Sequence, residues 1–118
     1  MRRGEVHDAR LDPTEGSEQA GSRPVVIVSR DAINAASPVV IAVPCTTYRV
    51  GRRLYPSQVL LHAPDGGLDV DSVALGEQVR ALAKSLLGRQ RGMLSSQALS
   101  QLDRALLIAL DLPGQLGS

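Results

Sequence analysis

The sequence predicts a mainly β protein, a small and strongly bent barrel with one helix at its C-terminal end. Three observations carry that expectation. Apolar runs are short, as at residues 25–28 and 39–43, which is the length of strands buried on both faces. Turn-forming pairs such as Ser37-Pro38 and Asp65-Gly66-Gly67 separate the runs. Leucine recurs at spacings of three and four in one late stretch, at Leu99, Leu102, Leu106 and Leu110.

In order along the chain, residues 4–11 read as a first strand, although His7 and Asp8 interrupt its alternation. Residues 24–29 form a continuous apolar run, expected as a strand covered on both faces, and residues 30–36 a short helical turn. Ser37-Pro38 resets the backbone to an extended form. Residues 39–43 are the next buried strand, expected to end at Pro44 and open into Cys45-Thr46-Thr47. Residues 48–56 are a basic loop, residues 58–62 a short strand, and Asp65-Gly66-Gly67 a turn. In residues 72–82, Val73, Leu75 and Val79 alternate at period two, which puts Glu77 on their face and partly buried. A bulge near Gly76 would instead aim it toward a pocket. A helix is expected over Ser96–Leu110, capped by Ser95 and stopped by Pro113-Gly114. Five or six strands and one helix result, with residues 1–3 and 114–118 as loose ends of a single domain over 1–118.

A chain of 118 residues supports one domain that buries roughly 65% of its unfolded surface. Without Phe or Trp, and with Tyr48 and Tyr55 as its aromatics, the core must be aliphatic. This argues against nucleic-acid modules that bind by stacking bases on an aromatic sheet. Cys45 has no second cysteine to pair with, and no N-terminal apolar stretch resembles a signal peptide, so a cytoplasmic location is expected. No apolar run reaches the roughly 20 residues that span a bilayer. His7 and His62 stand apart without metal-ligand spacing, which suggests structural or solvent-facing roles and neither a metal nor another cofactor. A net charge of +1 does not favour indiscriminate nucleic-acid binding, although twelve of the thirteen cations are arginines, whose planar fork suits phosphate.

The densest chemistry lies in Gly16-Ser17-Glu18-Gln19-Ala20-Gly21-Ser22-Arg23-Pro24, just before the second strand. A hydroxyl, a carboxylate, a carboxamide and a guanidinium sit between glycines and a proline, as in loops that bind or catalyse.

This loop belongs to a series of matching segments. With Arg3-Gly4-Glu5-Val6, Leu11-Asp12-Pro13, Val43-Pro44-Cys45-Thr46-Thr47 and Ser72-Val73-Ala74-Leu75-Gly76-Glu77-Gln78-Val79, it resembles the MazF/PemK toxins, endoribonucleases of toxin-antitoxin pairs. The resemblance spans about two thirds of the chain. It implies an SH3-like barrel of the MazF/PemK/CcdB type with a C-terminal helix, acting as a homodimer. It also implies metal-independent cutting of single-stranded RNA at a short sequence, by attack of a ribose 2′-hydroxyl on its own phosphate. The implied partners are the RNA and a cognate antitoxin with an acidic, largely disordered tail, and DNA only indirectly through that antitoxin.

The resemblance likewise implies residue roles. Arg23 corresponds to the principal catalytic arginine, whose guanidinium would hold the scissile phosphate. Thr46 corresponds to the catalytic threonine, with Thr47 as its neighbour. Glu18 would take the 2′-hydroxyl proton or else orient Arg23. Ser17 and Gln19 would hold phosphate or read a base edge, or only build the loop. Arg49, Arg52 and Arg53 would attract RNA in the loop after Thr47, where the antitoxin should also lie. Glu77 and Gln78 sit where relatives carry residues linked to RNA. Many relatives have Asp and Arg where this chain has Ala83 and Leu86. Two other functions fit the same fold. A gyrase poison of the CcdB type would need the C-terminal tryptophan that this chain lacks, and a silent SH3-like interaction module would bind RNA without cutting it.

Overall fold

The computed structural model describes residues 1–11 and 21–114. Seven strands and two helices follow in order: β1 Glu5–Arg10, β2 Ser22–Ile27, α1 Asp31–Ala36, β3 Val39–Thr47, β4 Gln58–Leu61, β5 Ser72–Leu75, β6 Arg80–Ala83, β7 Leu87–Met93 and α2 Ser96–Leu110. Single 3₁₀ turns occupy Asp65–Gly67, Gly76–Gln78 and Lys84–Leu86. The expected class, β with a C-terminal helix, stands. All strand pairs are antiparallel, in the order β4-β5-β3-β2-β1-β7, with β6 also on β3. Among these pairings β4 and β7 are the two ends, so the bent sheet does not close into a ring.

The main departure from expectation is β3. It runs through Pro44 to Thr47 instead of ending at Val43. Along one edge it pairs first with β6, from Val39 to Ala42, and then with β5, from Cys45 to Thr47. Pro44, which has no N–H to give, falls in the interval between those two partners and is tolerated there.

The strand β7 has no counterpart in the sequence reading. Its LGRQRGM sequence shows no alternation because it is an edge strand with one partner, β1, and the register shifts twice along that pair. Polar residues on an edge strand meet solvent, so the period-two signal is absent.

Alternation along β1, β2 and β3 sends side chains into two cores. Val6, Val26, Val43 and Cys45 join Ala98, Leu102 and Ala105 of α2 on one face. Ala9, Val25, Ile27, Val40, Ala42 and Leu82 form the second, with Leu11, Leu86 and Leu87 packed against it. Leu86 therefore serves apolar packing. The buried face of α2 is Ala98, Leu102 and Ala105, rotated from the expected leucine stripe, and Leu110 is half exposed. Ser95 caps this helix as expected, its Oγ accepting from Ala98 N at 3.1 Å. The Asp65 carboxylate accepts from both Ser95 N and Ser95 Oγ at 2.8 Å, tying the preceding turn to the helix start.

Arg3, expected in a loose end, is anchored. Its Nε donates to Val28 O at 2.9 Å and its Nη2 to Asp103 Oδ1 at 2.5 Å, linking the start of the chain to α2. The expected tail 115–118 lies outside the described residues.

Candidate active site

The pairing of β2 with β3 carries Arg23 and Thr46 to one end of the sheet. Strands β2 and β3 pair Val25 with Pro44, Val26 with Val43 and Ile27 with Ala42. Two residues further along each strand, past the last paired residues, stand Arg23 and Thr46, which alternation puts on the same face as Val25 and Pro44. Directly opposite residues of an antiparallel pair share a face. Here it is the face that carries Val25, Ile27, Val40 and Ala42 into the second core, so an apolar floor gives way to a polar end.

At that end lies a cleft of about 550 Å³. Arg23 and Pro24 from β2, Thr46 and Thr47 from β3, and Arg49 and Arg52 from the following loop line it. The segment Leu68–Val70 and Arg91 of β7 complete the wall. Arg23, Thr47, Arg49 and Arg52 are exposed and Thr46 is half-buried. Arg23, Arg49 and Arg52 give this concave surface a positive field that favours an anion, since concave walls focus the field of the charges that line them. A hydroxyl beside a guanidinium can donate to the same phosphate.

Several expected residues lie elsewhere. Arg53 is outside the lining, with its guanidinium carbon 5.7 Å from the Tyr55 ring centroid. Glu77 and Gln78 are also outside it and both are exposed. The partial burial expected for Glu77 is corrected: the 3₁₀ turn Gly76–Gln78 interrupts the strand, and period two no longer applies across it. The Glu77 carboxylate accepts from Ser57 Oγ at 2.9 Å and Gln58 Nε2 at 2.8 Å. Desolvation pushes its pKa up, but the Gln58 bond, its own backbone N–H, the Ser57 bond and the Arg52 charge outweigh that and hold it below the usual value. Ser17, Glu18 and Gln19 lie outside the described residues.

Cys45 also borders the cleft, but it offers no reactive thiol there. Its side chain belongs to the α2 core, where burial pushes the thiol up to about 12 and keeps it neutral. His7 is buried, its Nε2 2.8 Å from Glu5 Oε1, whereas His62 is exposed with Nδ1 3.6 Å from Asp71 Oδ2. Among the described residues no three His, Cys, Asp or Glu side chains are grouped to hold a metal ion. No helix among them is long and apolar enough to cross a membrane.

Arg91 and Asp69 are charged cleft residues that sequence reading missed. The Arg91 side chain, 16% exposed, donates through Nε to Asp8 Oδ1 at 2.6 Å and through Nη1 to Asp69 Oδ2 at 3.0 Å. Those bonds raise the Arg91 pKa further above its ordinary value. Asp8 and Arg91 are 83 positions apart in sequence, and no local pattern announces such a pair.

The chain is 44% identical over 117 residues to endoribonuclease MazF9 of Mycobacterium tuberculosis, covering 95% of this chain and 98% of the relative. Its fold is similar to that of an endoribonuclease solved in complex with its cognate antitoxin from a mycobacterial species, at TM-score 0.78 and 28% identity over 97% of this chain and 98% of the other. It is also similar to the M. tuberculosis toxin MazF-mt6, at TM-score 0.77 and 28% identity over 93% and 99% of the two chains. The family model of PemK-like, MazF-like toxins of type II toxin-antitoxin systems matches residues 2–110, and the chain belongs to that family.

Proposed function

We propose that the arginine-lined cleft cuts single-stranded RNA as the active site of an endoribonuclease toxin. The observation that carries this reading is that Arg23 and Thr46, from neighbouring strands, line one cleft together with Arg49 and Arg52. The 44% identity to an endoribonuclease over nearly the whole chain supports the activity. In the proposed reaction, the 2′-oxygen of one nucleotide attacks its own 3′-phosphorus and the bond to the next O5′ breaks. One proton leaves O2′ and one arrives at O5′, so the products are a 2′,3′-cyclic phosphate and a 5′-hydroxyl. Arg23 stabilises the charge gathering on the non-bridging oxygens and Thr46 donates a hydrogen bond to the same phosphate. Glu18 is the proposed acceptor of the 2′-hydroxyl proton, with Ser17, Gln19 and Thr47 as contacts to phosphate or base. Arg49 and Arg52 draw the flanking phosphates. Since the nucleophile belongs to the substrate and the charge is met by a guanidinium, the reaction needs no metal.

Incubation of a long single-stranded RNA with the protein and EDTA, followed by mapping of both new ends, tests this scheme. The expected result is cleavage at one short sequence, leaving cyclic phosphate and 5′-hydroxyl ends. Dependence on a divalent ion, or 5′-phosphate ends, would refute it.

The proposed partner that restrains this activity in the cytoplasm is an antitoxin, supported by the solved relative that holds its own. An acidic, disordered tail suits the arginine-lined cleft and would fold as it binds. A homodimer is the proposed assembly, with DNA reached only through the antitoxin. Exposed Val39 and Ile41 on β3, with Ile108, Leu110 and Leu112 near the end of α2, support it as apolar surface for a second copy to cover. Light scattering at micromolar concentration should give twice the chain mass, and a monomer there would count against the dimer.

A further inference from the structure

Most of the cleft is cationic, but one wall carries a carboxylate, Asp69, whose side chain is 78% exposed. It stands between Leu68 and Val70, on a segment with no regular structure. What holds it is Arg91. The guanidinium meets Asp8 of β1 through Nε and Asp69 through Nη1, so its two partners sit on different edges of one rigid plane. Asp8 and Arg91 are both largely buried, at 20% and 16% exposure, which fixes that end of the bridge.

We infer that Arg91 is a positioning residue of the RNA site: it ties the Leu68–Val70 wall to β1 and β7 through Asp69 and Asp8, and thereby sets how selectively the cleft accepts RNA. This rests on the reading that the cleft binds and cuts RNA. The geometry favours positioning over direct phosphate capture because the charge of Arg91 already faces two carboxylates. A phosphate entering there would have to displace Asp69 or be repelled by it. Held in place, Asp69 presents acceptor oxygens that accept from an N–H of a correctly seated base and repel a misplaced phosphate. A lysine could not replace Arg91, because a single ammonium lacks the planar fork that reaches both acids.

The test compares Asp69→Asn, Arg91→Gln and Arg91→Lys with the unmodified protein. Two short RNAs are used, one with the mapped cleavage sequence and one with a single base changed beside the cut. A third oligonucleotide carries 2′-deoxyribose at the cut position and reports binding alone. The inference expects all three variants to lower the discrimination between the two RNAs by about tenfold, the order of one charge-assisted hydrogen bond. The loss should come through KM, with kcat and the salt dependence of binding unchanged. Asp69→Asn should leave the melting temperature near that of the unmodified protein, because its side chain is mostly exposed, and it decides alone if the Arg91 variants fail to fold. Tighter binding by Asp69→Asn would overturn the inference. So would a salt slope reduced by about 0.7 in Arg91→Gln, the signature of one lost phosphate contact. Discrimination unchanged in Asp69→Asn would overturn it as well. If the unmodified protein cuts no RNA, the catalytic reading fails by itself, and the spread of its affinities over a set of single-stranded DNA oligonucleotides differing at one base, compared with that of the variants, still decides the role of Arg91.

Discussion

Arg23→Ala should lower kcat/KM for RNA cleavage by about 10²- to 10³-fold, the loss seen when one donor to a developing oxyanion is removed, about 3 to 4 kcal/mol. Stability should hardly change. Arg23 is exposed and makes no ion pair with the other described residues, so substitution there should cost no more than about 0.5 kcal/mol. That separation makes the result interpretable: single-turnover cleavage of a defined RNA reads the chemistry and thermal unfolding reads the fold. Activity within about threefold of the unmodified protein, less than 1 kcal/mol, would remove Arg23 from the proposed mechanism. Arg23→Lys should recover little, because an ammonium keeps the charge but not the two-pronged geometry.

Gly67→Ala should destabilise the protein by about 2 to 5 kcal/mol, combining left-handed backbone strain with overpacking, and lower its melting temperature by about 10 °C or more. Gly67 has φ +75°, and a Cβ there would lie 2.1 Å from the Arg91 carbonyl oxygen and 2.6 Å from its carbonyl carbon. Backbone atoms in a strand cannot swing aside as a side-chain tip can, so the whole segment must shift. Gly67 is itself exposed, which makes it an unusual surface position with a core-like penalty. Gly51 provides the contrast. It also has positive φ, +89°, but no atom within 4 Å of its would-be Cβ, so Gly51→Ala should show the strain of about 1 to 2 kcal/mol alone. Equal melting temperatures for the two variants would show that the close approach at Gly67 is not what matters. Because Gly67 precedes the Leu68–Val70 wall, its substitution should also disturb RNA selection.

The sequence carried the parts that depend on local chemistry. The cap at Ser95, the extent of α2, the buried run of β2 and the turn at Asp65-Gly66-Gly67 were legible because each rests on neighbours within a few residues, whereas residues 39–43, expected to be buried, alternate and leave Val39 and Ile41 exposed. Motif resemblance also singled out Arg23, Thr46 and Thr47, and the charge of the loop after them singled out Arg49 and Arg52; all five line one cleft. Glu77 was misjudged because alternation holds only while a strand continues, and a turn starts at Gly76.

By itself, then, the amino-acid sequence determined a mainly β chain with a capped terminal helix, an aliphatic core and the family to which it belongs. Only the tertiary structure decided that Arg23 and Thr46 line one cleft, that Glu77 stands outside it, and that Arg91 from an unannounced edge strand joins its wall. The physical reason is range. Periodicity and capping report forces between residues close in the chain, whereas strand register, close backbone approach and a bridge from Asp8 through Arg91 to Asp69 arise only when distant segments pack.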